Sequence, residues 1–264
     1  MKKICESRIG PRKKARRQAK GWVPNYHGAW AMVTFPILLG IYLAGFGSKH
    51  LILLAFWWVG YFAFFATGLW LRSKFNERYK TPTLVYGSCA GVLGVLVLIF
   101  IPHLLRWLPV FLPLVVTTLW CSWRRRDRSF LNNAVTVIAA SLMLAVAYDV
   151  VPNGTSSWQH VWIATGILTA YFLGTVFYVK TNIRERNRRS WLIASATFHI
   201  LFTIISFALF YAGLSSLSLV LAWLVATVRS IAVPIYGSRN GWMSAKAIGI
   251  PEIFLSIWMT LALI

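Results

Sequence analysis

The chain has 264 residues, of which 58% are hydrophobic and 16% aromatic, only 12% are charged, and the formal net charge is +21. At this length a water-soluble domain has too little interior to hide so much apolar surface, which excludes soluble folds. The few charges fall in short runs between apolar stretches of about 17–23 residues, each long enough for a helix to cross roughly 30 Å of hydrocarbon. Strand alternation is nowhere sustained, and open sheet edges do not survive in lipid. The fold class is all-α: a polytopic helical membrane protein.

The first 20 residues, "MKKICESRIGPRKKARRQAK", form a basic tail. No cleavage site follows it, so it reads as a retained cytoplasmic tail held on an anionic leaflet. Nucleic acid is not expected as its partner. Residues 21–264 then read as a single transmembrane domain with nine spans, at 28–46, 51–71, 83–101, 104–123, 130–150, 159–180, 191–212, 215–235 and 247–264. With the tail inside, nine Lys and Arg lie in it, four in 72–80, four in 124–128, five in 180–189, and three more at Arg229, Arg239 and Lys246. Only Lys49 and Arg106 are left for the outer side. That asymmetry supports nine spans, a cell-membrane location, a cytoplasmic amino terminus and an outside carboxyl terminus.

Several features are read as structural. Cys5, Cys89 and Cys121 have no ligand spacing and suggest neither zinc nor a disulfide framework. Asn153 opens an outer "NGT" glycosylation sequon. Gly87 and Gly91 in the third span, and Gly166, Ala170 and Gly174 in the sixth, form small-residue stripes of the kind that let helices pack closely.

The polar groups at or inside the membrane are the candidate site. Arg229, placed about six residues before the inner end of span eight, and Glu252, early in span nine, have matching depth and are expected to pair. Two inner loops, "WLRSKFNERYKTP" after span two and "YVKTNIRERNRRSW" after span six, concentrate charge. Continuing span six as a helix would put Asn182, Glu185 and Arg189 on one face, with Arg184 and Arg188 beside it. Guanidinium groups at a membrane surface suit phosphate or carboxylate recognition, and the positive-inside bias also places arginines there. His27, between Trp22 and Trp30, could cap the first helix at headgroup level or act as a general acid or base, and both readings stay open. A third, haem ligation, lacks a second histidine at matching depth, so haem is not expected.

"PNYHGAWAM" resembles the YwiC-like family of bacterial membrane proteins, whose hallmark HGAW matches His27, Gly28, Ala29 and Trp30; the family's usual preceding glutamine is Tyr26 here. "NIRERNRRSW" resembles that family's loop. The resemblance implies a fold and a location rather than an activity. A second resemblance is to UbiA-type prenyltransferases, also nine-helix bundles, through "FPILLG" (Phe35 to Gly40), "RYKTP" (Arg78 to Pro82) and "NIRERNRR". Those enzymes hold magnesium diphosphate with paired aspartates after helices two and six. Here those loops offer only Glu77 and Glu185, too few hard oxygen ligands, so magnesium is not expected and no metal site is assigned.

The resulting expectation is a UbiA-like bundle whose basic residues replace the metal. Arg72, Arg78, Arg184 and Arg186 would clamp an anionic headgroup of a membrane lipid or isoprenoid. His27, Asn76, Glu77, Asn182 and Glu185 would be polar contacts, and Trp30 and the Arg229–Glu252 pair belong to the same ligand set. If there is catalysis, His27 or Glu185 carries the proton. Two alternatives stand beside it: a small-solute transporter or exporter, and a membrane scaffold or assembly factor.

Overall fold

The computed structural model describes residues 21–24, 27–151 and 154–264, the side chains of residues 27 and 28 excepted. The tail with Cys5, the imidazole of His27, and Asn153 therefore lie outside the described residues. Among the described residues there are nine α-helices and no strand. They are α1 (His27–Ala44), α2 (Lys49–Arg72), α3 (Glu77–Phe100), α4 (Leu108–Trp123), α5 (Phe130–Tyr148), α6 (Trp158–Ile183), α7 (Arg189–Tyr211), α8 (Leu217–Asn240) and α9 (Ala245–Leu261). A 3₁₀ turn, Pro102–Trp107, joins α3 to α4. Seven stretches are long and apolar enough to cross a membrane: α2, α3, Pro102–Trp123, α5, α6, α7 and α8. α1 is apolar over Ala29–Ala44 but shorter, and α9 has 17 residues. The chain is a multi-pass helical membrane protein.

Short polar side chains set where the helices start. Ser129, Ser157, Ser216 and Ser244 each accept a backbone N–H from the first turn of α5, α6, α8 and α9, and Asn76 does so for α3. Each such cap satisfies a donor that the helix itself leaves unpaired. Two boundaries differ from those expected. α3 begins at Glu77 rather than near 83, so Glu77 and Arg78 belong to a helix and not a loop. α8 continues to Asn240 rather than ending near 235, which puts Arg229 at mid-helix instead of close to one end.

α5 and α6 form the centre. Leu144, Ala147, Leu168 and Tyr171 are fully buried there, against α1 on one side and Trp223 of α8 and Met259 of α9 on the other. α2, α3 and α4 make a second group, joined to α1 and α5 through Ile37, Leu53, Val97, Ile101 and Met143. The small-residue contacts differ from those the stripes suggested. Nothing lies within 4 Å of a Cβ built on Gly87, Gly91 or Gly166, so these glycines are not packing positions in the monomer. Gly174 does pack, against His199 and Phe198. The tightest approach at any described glycine is elsewhere: a Cβ on Gly40 of α1 would stand 2.2 Å from the carbonyl oxygen of Leu144 on α5.

That obstacle is backbone, which cannot rotate aside. Gly40→Ala should therefore separate α1 from α5 and lower stability by about 1–3 kcal/mol, the usual cost of overpacking. Gly91→Ala, made into open space, should stay within about 0.5 kcal/mol of the parent. Thermal unfolding of both variants in detergent checks the pair.

Candidate functional site

The polar residues lie at three levels. At the basic end, where the α2–α3, α4–α5, α6–α7 and α8–α9 connections lie, α6 stops at Ile183 and the chain turns through residues 184–188, with Asn187 at φ 64°. The expected helical continuation is thereby broken, and Asn182, Glu185 and Arg189 do not share one face. Asn182 is turned inward, only 1% exposed, with its Nδ2 donating to the Tyr178 carbonyl. Glu185 pairs with Arg188 at 2.8 Å. Arg186 donates to the Asn182 carbonyl at 2.7 Å and lies over the Trp242 ring.

The two loops singled out from the sequence are joined through a third, 124–128. Arg72 pairs with Asp127 at 3.7 Å, and Arg125 donates to the Arg72 carbonyl. From the other side, Lys180 and Arg184 both donate to the Arg128 carbonyl, at 3.1 and 3.4 Å. Asn76 caps α3, Glu77 is exposed and pairs with Lys80, and Arg78 is exposed beside Tyr79. Trp30 packs edge-on against Trp58, Tyr61 and Phe62 of α2. Sequence reasoning passed over Asp127, whose signal was that it is the one acid inside an arginine run.

Next to Arg188 and Arg189, one exposed face of α7 carries a shallow, largely open groove lined by Ser190, Ile193, Ala194, Thr197, Phe198 and Leu201, all of that one helix. Its lining is apolar apart from two hydroxyls, and it runs from the basic end toward the middle of the helix.

At mid-depth, Arg229 of α8 pairs with Glu252 of α9, as their depths predicted. The guanidinium lies 4.4 Å from the centre of the Tyr178 ring, and Thr175 donates to Glu252 Oε2 at 3.2 Å. Tyr171 and Ser256 hold the Glu252 backbone carbonyl at 3.3 and 2.6 Å. His199 of α7 is fully buried beside Gly174.

At the opposite end, Asp149 is buried and held by Nε and Nη2 of Arg106, while Trp107 Nε1 donates to its Oδ2 at 2.8 Å. His103 donates to the Asp149 carbonyl at 2.7 Å. These side chains, with Tyr148, Val151 and Trp158, border a cavity of about 280 Å³. Sequence reasoning set Asp149 and Arg106 aside, although they are the one acid and one of two basic residues at that end. Among the described residues, no three His, Cys, Asp or Glu side chains come together as a metal would need.

Arg229→Leu or Glu252→Leu alone would strand a buried charge and should cost about 3–5 kcal/mol, whereas the double substitution should recover most of that loss. Denaturation of all three variants in detergent tests the cycle.

The family described as "YwiC-like protein" matches residues 23–148, a stretch that includes His27 to Trp30. The chain is similar to YwiC of Bacillus subtilis, described as uncharacterized, with 31% identity over 211 residues, covering 76% of this chain and 83% of that protein. It is also similar to an uncharacterized protein of Haemophilus influenzae, with 26% identity over 212 residues, covering 80% of this chain and 86% of that protein. No solved structure matches the chain. By the extent and identity of the first of these matches, the chain belongs to the YwiC-like family.

Proposed function

We propose that the protein binds an amphipathic anion, an acidic lipid or an isoprenoid phosphate, with its headgroup at the basic end and its apolar tail along α7. The observation that carries this reading is the α7 groove, whose first lining residue, Ser190, directly follows Arg188 and Arg189. Both arginines are exposed, as are Arg184 and Arg186 in the same turn. Guanidinium groups bind phosphate and carboxylate oxygens through paired donors, and the shallow apolar face beside them takes the hydrocarbon part of the same molecule. The basic end is the cytoplasmic side of the cell membrane on this reading, because 24 of the 27 Lys and Arg lie at that end or in the tail. The bundle then works as a UbiA-like scaffold in which arginines take the place of a metal-held diphosphate site.

Mass spectrometry of small molecules retained by the purified protein tests the reading, alongside Arg188→Ala/Arg189→Ala and the groove-filling Ala194→Trp. One isoprenoid phosphate or one acidic lipid should be enriched over bulk lipid in the parent, its mass telling the two sources apart. It should fall several-fold in both variants. Bulk lipid alone in all three proteins would overturn the reading.

A further inference from the structure

The mid-depth cluster contains more hydrogen-bonding capacity than its own residues use. Arg229 lies twelve residues after the start of α8 and eleven before its end, and its side chain is only 13% exposed. One terminal nitrogen meets Glu252, while Nε and Nη2 find no acceptor among the described residues. His199 Nδ1 donates to the Ser195 carbonyl at 2.7 Å, which leaves Nε2 as a lone pair; it is fully buried and unpartnered. That nitrogen faces Gly174, the residue before Thr175, which itself donates to Glu252. Trp223 Nε1, also fully buried, is a further donor with no acceptor. A buried polar group costs free energy unless it is paired, and several in one place at membrane depth point to an occupant.

The chemistry of that occupant follows from charge balance. The groups that touch the pair are Tyr171, Thr175 and Tyr178 of α6 and Ser256 of α9, while His199 of α7 lies against Gly174, the neighbour of Thr175, and none of these carries a fixed charge. The other ionisable Lys and Arg of these helices, Lys180, Arg189, Arg239 and Lys246, lie near their basic-end termini. Arg229 and Glu252 thus make a neutral site. An anion entering alone would leave it at charge −1, and a proton entering alone would leave Arg229 without its counter-charge; both are costly in a medium of low dielectric constant. Entering together, the proton neutralises the Glu252 carboxylate and the anion takes its place on the guanidinium, so the site stays neutral throughout. The anion must be small and offer what the Glu252 side chain offers, a planar pair of oxygens.

We infer that Arg229, Glu252 and His199 form a proton-linked binding site for a small carboxylate anion at the centre of the bundle. This inference is independent of lipid binding at the basic end. Arg229 is the anion donor and Glu252 the proton acceptor. The free Nε2 of His199 accepts a hydrogen bond from the protonated Glu252 or from the incoming acid.

Acetate is the probe, titrated calorimetrically into the purified full-length protein in detergent, with chloride at equal ionic strength as control. One proton should be taken up with each acetate, read from the dependence of the heat on buffer ionisation. The apparent Kd should then rise about tenfold for each pH unit above the titration of Glu252. Glu252→Gln, which imitates the protonated carboxyl, should bind acetate more tightly at neutral pH and without pH dependence. Arg229→Gln/Glu252→Gln, neutral by construction, should lose binding while remaining folded. Acetate binding by the parent without proton uptake, no binding by the parent at any pH, or binding retained by the double variant would each overturn the inference. A folded Glu252→Gln that binds no better than the parent would do the same. If that variant does not fold, the proton count and the double variant decide the matter alone.

Discussion

Hydrocarbon cannot solvate a charge, and every polar feature of this protein is arranged around that constraint. The chain has six acids against 27 Lys and Arg. Each carboxylate in the described helical bundle has a cationic partner: Glu77 with Lys80, Asp127 with Arg72, Asp149 with Arg106, Glu185 with Arg188 and Glu252 with Arg229. The pairs fall at three depths, and Asp149 at one end is as buried as Glu252 in the middle. Glu77 is exposed to water at one end, Asp149 is closed over at the other, and Glu252 is sealed within the bundle.

With acids so scarce, the arginines at the basic end use backbone carbonyls instead. The carbonyls of Arg72, Arg128, Asn182 and Met243 each receive a guanidinium or ammonium donor. These bonds run from the α2–α3 connection through 124–128 to the α6–α7 turn and on to the segment before α9. Four loops distant in sequence become one surface. A carbonyl is a dipole, not a counter-charge, so the bonds fix the loops without cancelling their positive charge. Arg124, Arg126 and Arg189 remain exposed on that surface, which attracts anionic headgroups over roughly a Debye length of about 8–10 Å.

How far the sequence could be read depended on which physical signal carried each feature. Helix number and order were legible because hydropathy needs no knowledge of packing: the nine described helices fall on the nine expected stretches, seven of them long and apolar enough to cross a membrane. The Arg229–Glu252 pair was legible because two charges at equal depth on consecutive helices have few other partners. Helix ends were less so: Ser and Asn caps moved the start of α3, and α8 outran its apolar stretch to Asn240. The functional geometry of the α6–α7 turn was misread because helical spacing was extended past a break that only the backbone at Asn187 reveals. Small-residue stripes misled for a related reason. Gly87 and Gly91 have the spacing of a packing motif, as do Gly40 and Ala44, but only the three-dimensional arrangement tells that Gly40 is where two helices meet.

α7 joins two of these levels in one element. Ser190, Ile193, Ala194, Thr197 and Leu201 line the groove that starts at the basic end. Ser195, His199, Thr203 and Ser206 recur on the opposite, buried side and face the central helices. Phe198 belongs to both sides: it borders the groove, and its ring lies 6.1 Å from His199 and 4.8 Å from Phe202, which is stacked on Trp223. Close-packed side chains move together rather than past one another. Whatever lies in the groove therefore rests against the same ring that walls the buried His199, with no mobile loop between them. The basic surface and the buried His199 are thus served by the two faces of one helix, α7.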